Sequence, residues 1–169
     1  MLVGITGTPG TGKTSVAEAL RKRGIDVLDL KTTVAPFILE HDEEMGADVV
    51  DVEAWAEEHT FLEGYVEGAI SHFLPCEKII VLRCRPDVLA KRLAPRGYSS
   101  AKIRENAEAE ALDVILIETA DMFAAEQIYE IDTTSIDSET AAEQIVAFAE
   151  GRVSASFGSL DWSEYVMSL

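Results

Sequence analysis

Arginine is missing from residues 24 to 82, and only Lys31 and Lys78 are cationic across that stretch. Cysteine is nearly as scarce. Cys76 and Cys84 flank the run KIIVLR, and neither belongs to a CxxC or HxxxH pattern that could complete a metal set. Both are expected to be buried free thiols, compatible with a reducing cytoplasm. Long hydrophobic runs are lacking too: no stretch approaches the roughly 20 apolar residues a membrane span needs. Residues 1 to 6 already have the composition of a strand, so neither a signal peptide nor a membrane anchor is expected. No later loop holds a base-reading NKxD sequence, which argues against a regulatory GTPase. Positive charge is short overall, with 14 basic residues against 31 acidic ones and a formal charge of −17. Such a field disfavours contact with bare nucleic acid, so direct DNA binding is not expected. It suits a basic protein partner or a salt-adapted cytoplasm equally well.

What is present is enough for one sizeable core: 169 residues with a hydrophobic fraction of 47% fit a single domain spanning 1 to 169. A monomer is the default at this size. LVGIT at 2 to 6 is a predicted strand, and Val16, Ala19 and Leu20 set a helical period between 13 and 23. DVLDL at 26 to 30 gives a second strand. Short helices are expected around 32 to 40 and 51 to 59, and a third strand from about 60 to 66. KIIVLRC at 78 to 84 is the fourth strand, and Pro86 suits the first turn of a helix over 87 to 94. Residues 101 to 124 contain neither Gly nor Pro, and they predict one long helix capped by Ser99 or Ser100. QIYEID at 127 to 132 is the fifth strand, a helix follows from Ser138, and the tail after Gly151 ends in DWSEYV. Strands alternating with helices imply an α/β fold with a five-stranded, mostly parallel sheet, helices on both faces and its ligand at the carboxyl ends of the strands.

The loop at that edge after the first strand is GTPGTGKTS, residues 7 to 15, which matches GxxxxGK[ST] between a predicted strand and a predicted helix. Gly7, Gly10 and Gly12 permit a turn whose amides face a β-phosphate, and the following helix adds its positive end. Lys13 would meet the β- and γ-phosphates, Thr14 would ligate Mg²⁺ between them, and Ser15 would assist at the α-phosphate. Gly10, Thr11 and Gly12 complete the ATP cradle. More than half of the cations crowd into residues 78 to 104, against the single acid Asp87. Within that island Arg92 and Arg96 are four apart, and RGYS at 96 to 99 leads into the long helix. The pair could stack on a purine and grip phosphates beneath a short lid at about 95 to 105.

GTPGTGKTS, the segment LRCRPDVLAKRLAPRGYSSAKIRENAEAEALDVILIE at 82 to 118, YEIDTT at 129 to 134 and DWSEY at 161 to 165 together resemble the adenylate kinase isoenzyme 6 family, in particular its archaeal members. The resemblance implies an NMP-kinase fold of the P-loop NTPase class and adenylate kinase activity with Mg²⁺. It also implies an ATPase linked to maturation of the small ribosomal subunit, and a basic small-subunit ribosomal protein as partner. Gly10, Gly12, Lys13, Thr14 and Ser15 match the family's ATP loop. Arg96 matches its lid arginine, and Arg92 matches by spacing. The family's Glu-Gly-His at the end of the third strand is broken here, since Glu63-Gly64 precedes Tyr65 and Glu67-Gly68 precedes Ala69. EGAISHFLP at 67 to 75 fits that segment better than the surroundings of Glu63. Glu67 is therefore the candidate metal-linked carboxylate, through water, and His72 a candidate helper whose alternative is a structural histidine. Relatives hold AMP with arginines that residues 29 to 53 do not contain. Asp29, Lys31 and Asp51, with Arg83 or Arg85 from further on, are the candidates for the acceptor site. A kinase for another monophosphate such as CMP, and an ATP-switched assembly factor with little kinase turnover, are the alternatives.

Overall fold

Runs such as LVGI and IIVL, with no polar side chain interrupting them, are what a parallel strand covered on both faces requires. In the computed structural model, which describes residues 1 to 168, they lie at the centre of a five-stranded sheet. The strands are β1 (Leu2–Thr6), β2 (Val27–Asp29), β5 (Gly64–Glu67), β6 (Lys78–Arg83) and β7 (Ile128–Asp132), in the order β2-β5-β1-β6-β7. Every pairing in this sheet is parallel. Side chains alternate between its faces. Val3, Ile5, Ile80 and Leu82 meet Val16, Leu20, Ile145 and Phe148 from α1 (Lys13–Lys22) and α6 (Ser138–Ala149). Leu2, Val66, Ile79 and Val81 meet Trp55 of α2 (Val52–Glu58) and Leu116 of α5 (Val114–Met122) on the other side. A third, smaller core joins Leu89 and Leu93 of α3 (Pro86–Leu93) to Ala107 of α4 (Ser100–Ala111). This is the P-loop NMP-kinase architecture.

Three expectations are corrected. The helix expected at 32 to 40 is instead two short 3₁₀ turns followed by an antiparallel hairpin, β3 (Ile38–Asp42) with β4 (Ala47–Val50). Its turn is set locally: Asp42 accepts a hydrogen bond from the Met45 amide at 3.0 Å, and Gly46 takes φ +58°. The third strand starts at Gly64 rather than 60 and runs on to Glu67, in register with Ile5 and Asp29. The long helix is broken at Asp113, whose φ of +58° is the single positive value among the described non-glycine residues. Aspartate tolerates that conformation better than most side chains. Here a tertiary contact favours it, because the Asp113 carboxylate accepts from the Arg83 guanidinium.

Arg83 is 1% exposed yet carries a full charge into the interior. It donates to Glu110 at 2.8 Å and to Glu130 at 2.6 Å as well as to Asp113. Burial would discharge it, but the carboxylates of Glu110 and Asp113 push its pKa above the ordinary guanidinium range. The tail docks on the same cluster. Ser156 bridges to Tyr129 at the open edge of β7, the Gly158 amide donates to Glu130 at 2.7 Å, and the Trp162 ring lies 5.0 Å from the Arg83 guanidinium. The edge strand is thereby covered. Leu169 lies outside the described residues.

Replacing Arg83 by Leu should lower stability by about 3–5 kcal/mol, because Glu110 and Glu130 are left buried without their cation; urea unfolding followed by tryptophan fluorescence measures it. Burial pushes the thiols of Cys76 and Cys84 up to about 12 and about 11. Both are expected to resist iodoacetamide at neutral pH in the folded protein and to react once it is unfolded, as mass spectrometry would report.

Candidate functional site

β1 ends at Thr6 and α1 begins at Lys13, so residues 7 to 12 must reverse the chain at the carboxyl edge of the sheet. Gly7 has φ +151°, and a Cβ there would lie 2.6 Å from the Leu82 carbonyl oxygen, which no repacking of a flexible side chain would relieve. Gly12, at φ +101°, is the N-cap of α1 and offers no side-chain cap. The first-turn amides of α1 are thus left to an anion, the arrangement by which helix N-termini hold phosphate.

The carbonyls of Gly7, Thr8, Gly10 and Thr11 each meet a donor. The Lys13 ammonium donates to Gly7 O at 2.6 Å and Thr8 O at 3.1 Å. Thr8 O also accepts from the Thr11 hydroxyl at 2.8 Å. Thr11 O accepts from the Thr133 hydroxyl at 2.7 Å, and Gly10 O accepts from Arg92 at 3.3 Å. Arg92 further donates to Thr133 O at 2.7 Å, so α3 and the end of β7 together clamp the far side of the loop. Lys13 is nearly buried, and burial lowers its pKa to about 8 despite the raising influence of Glu67.

Gly10, Thr11, Gly12, Ser15 and Val16 line a cleft of about 410 Å³ together with Arg92 and Arg96. Thr133, Ile136 and Asp137, from the connection between β7 and α6, and Ser138 and Ala141 of α6 line it as well. The sequence reading did not select that last group. The signal existed, since TTSIDSET follows a parallel strand at the ligand edge of the sheet. Thr14, also in the first turn of α1, is exposed.

Glu67 ends β5 beside the loop and is 4% exposed. Burial, and then the neighbouring Asp29 carboxylate, raise its pKa, while Lys13 and Lys31 oppose that. Among the described residues no cluster of three or more His, Cys, Asp or Glu could hold a metal by itself. A hydroxyl from Thr14 and the Glu67 carboxylate nevertheless fit Mg²⁺, which is commonly held by one or two protein oxygens, substrate phosphates and water.

His72 is not displayed to the cleft. Its Nδ1 is 3.0 Å from the Thr6 hydroxyl, its Nε2 is 2.8 Å from the Glu118 carboxylate, and the residue is 1% exposed. Burial lowers its pKa against the pull of Glu118. Both ring nitrogens are engaged, as a structural histidine's would be.

The acceptor candidates separate. Asp29 and Lys31 stay near Glu67, with Asp29 accepting from the Lys31 amide at 2.9 Å. Asp51 caps α2 by accepting from the Ala54 amide at 3.1 Å, which occupies its carboxylate in the fold. Arg83 is withdrawn into the carboxylate cluster, and Arg85 pairs with Asp87 at 2.6 Å.

A family model described as "AAA domain" matches residues 3–113. A "Putative adenylate kinase" of Archaeoglobus fulgidus is 46% identical, over 96% of this chain and 92% of its own length. Proteins of the same description from Natronomonas pharaonis and Methanocaldococcus jannaschii are 40% and 39% identical, over 98% and 97% of this chain and 100% and 94% of theirs. Among solved structures, shikimate kinase from Acinetobacter baumannii has a TM-score of 0.59 at 19% identity, covering 89% of this chain and 93% of that one. Deoxyadenosine kinase from M.mycoides, with bound dATP, has a TM-score of 0.56 at 14% identity, covering 89% and 100%. At such identities the likeness is one of fold.

With Lys13 titrating near 8 in the free protein, a triphosphate that favours the ammonium form must draw in a proton above that pH. Affinity for MgATP is therefore expected to fall as pH rises through about 8, with net proton uptake on binding. Calorimetric titrations in two buffers of different ionisation heat measure the uptake. Equal heats in both buffers at about pH 9 would contradict it.

Proposed function

The chain belongs to the family of archaeal P-loop proteins that includes these relatives, and from that membership we propose that it is an Mg²⁺-dependent adenylate kinase, converting ATP and AMP to two ADP. The observation that carries the reading is the phosphate loop itself, with Lys13 bonded to its carbonyls, the uncapped start of α1, and a cleft that Gly10, Thr11, Gly12 and Ser15 line together with Arg92 and Arg96. ATP lies with its phosphates against Gly10, Thr11, Gly12, Lys13, Thr14 and Ser15. Its base reaches toward Ile136 and Ala141. Lys13 carries positive charge to the bridging and γ-phosphate oxygens, and Arg96, exposed at the lid, reaches the same charge from above. Thr14, with Glu67 acting through water, would hold Mg²⁺, which would supply charge neutralisation to the phosphates. The protein thus works by position and electrostatics and forms no covalent intermediate.

The acceptor side favours a second reading. Residues 24 to 82 contain no arginine, Arg83 and Arg85 are held by carboxylates, and Lys31 and Arg21 join Lys13 as the cations acting on Glu67. A weak grip on AMP suits an ATPase whose nucleotide state governs association with a basic small-subunit ribosomal protein, in the cytoplasm, during maturation of that subunit. The charge of −17 is compatible with such a partner. A kinase acting on CMP is a third reading, supported only by the sparse acceptor site.

Incubation with MgATP and each of AMP, CMP, GMP and UMP, with a control lacking acceptor, separates these. ADP formation should depend on AMP, and Lys13→Ala should reduce it on the order of a hundredfold or more. Equal ATP consumption with and without acceptor would favour the ATPase, and ATP left intact in every arm would remove both.

A further inference from the structure

The carbonyl of Thr8 is the most heavily used acceptor in the phosphate loop, receiving the Lys13 ammonium, the Thr11 hydroxyl and, at 3.2 Å, the Thr11 amide. Its side chain is tied as firmly. The Thr8 hydroxyl donates at 2.7 Å to Glu110 of α4, a residue 102 positions away, and both residues are 2% exposed. The other Glu110 oxygen accepts from Arg83 Nε at 2.8 Å and from the Cys84 amide at 2.9 Å, while the Glu110 carbonyl accepts from Arg83 Nη2 at 3.0 Å. Glu110 is therefore pinned to the end of β6 by three contacts and has one oxygen left, which it presents to the loop. The helix that carries it begins at Ser100, within the expected lid at about 95 to 105, with Ser99 as its cap.

We propose that Glu110 is a positioning residue for phosphoryl transfer, fixing the Thr8 peptide and so the placement of Lys13, and joining the loop to the helix that descends from the lid. The proposal rests on the phosphotransfer reading above. Physically, Thr8 contributes a fixed hydroxyl and a fixed carbonyl from one residue, so holding the first holds the second. Lys13 in the free protein is aimed by that carbonyl. If the Thr8 peptide is free to rotate, the ammonium loses one of its two acceptors and the loop amides lose their common orientation. The cost falls on the transition state, where placement of charge matters most. A bond made to α4 also lets a shift of the lid be felt at the loop without any ligand touching Glu110.

The test compares Thr8→Val, which removes the hydroxyl at nearly constant volume, with Thr8→Ser, which restores it, and with Glu110→Gln and the double variant Thr8→Val/Glu110→Gln. Thermal unfolding, MgATP affinity and turnover at saturating ATP are read for each. Thr8→Val is expected to lower kcat about tenfold with a smaller change in KM, and Thr8→Ser to recover most of that loss. The double variant should be no slower than about the worse single one, because both act on one link. The proposal is overturned if Thr8→Val keeps full kcat, if Thr8→Ser is as slow as Thr8→Val, or if the two losses multiply. It is overturned as well if neither Thr8→Val nor Glu110→Gln folds, since the carboxylate is then a determinant of the fold alone. Should the unaltered protein bind MgATP without turnover, the phosphotransfer reading fails by itself. The affinities then decide, with a several-fold loss in Thr8→Val recovered in Thr8→Ser supporting the link and unchanged affinity refuting it.

Discussion

A turn that aims its amides inward at an anion must turn its carbonyls outward, and those carbonyls have to find donors in a place where water is largely excluded. This requirement organises much of the molecule. Gly7 and Thr8 are served by Lys13, Thr11 by Thr133, and Gly10 by Arg92. The donors come from α1, from the end of β7 and from α3, elements that the sheet order β2-β5-β1-β6-β7 brings around one edge. The doubly covered sheet positions the loop; the network around the loop then fixes its shape.

Beneath it lies an arrangement with more negative than positive charge. Arg83 is surrounded by Glu110, Glu130 and Asp113, and the tail adds the Gly158 amide and the face of Trp162. Removing one partner of such a cluster leaves a buried charge without compensation. The cluster explains why a helix without Gly or Pro breaks at Asp113, and why the C-terminal segment docks. A basic island read along the chain is also redistributed in space. Arg83 is buried, Arg85 and Arg104 pair with nearby Asp87 and Glu108, and Arg92 and Arg96 line the cleft.

The face that would receive an acceptor is built differently. A hairpin stands where a helix was expected, Asp51 is used as a cap, and His72 links Thr6 at the root of the loop to Glu118 on α5. His72 thus bears on the loop from the opposite face of the sheet to α1 and α6. Glu67 keeps its carboxylate beside Lys13, and burial raises its proton affinity in a way that a bound cation would reverse.

Local chemistry settled the strand–loop–helix at residues 2 to 22, because a short continuous apolar run, glycine spacing, a lysine and a helical period state their own geometry within a few positions. The strands at 78 to 83 and 128 to 132, the start of α3 at Pro86 and the Ser99 cap were legible for the same reason. The hairpin was not, although Asp42 and Gly46 mark its turn, because its strands are short, acidic and exposed and so lack an apolar period. Nor could the chain order reveal that Arg83 faces inward, that Thr133 and Arg92 close the loop, or that Glu110 reaches Thr8. Those depend on which residues from distant segments share a dry space, and only the packed sheet and its helices decide that.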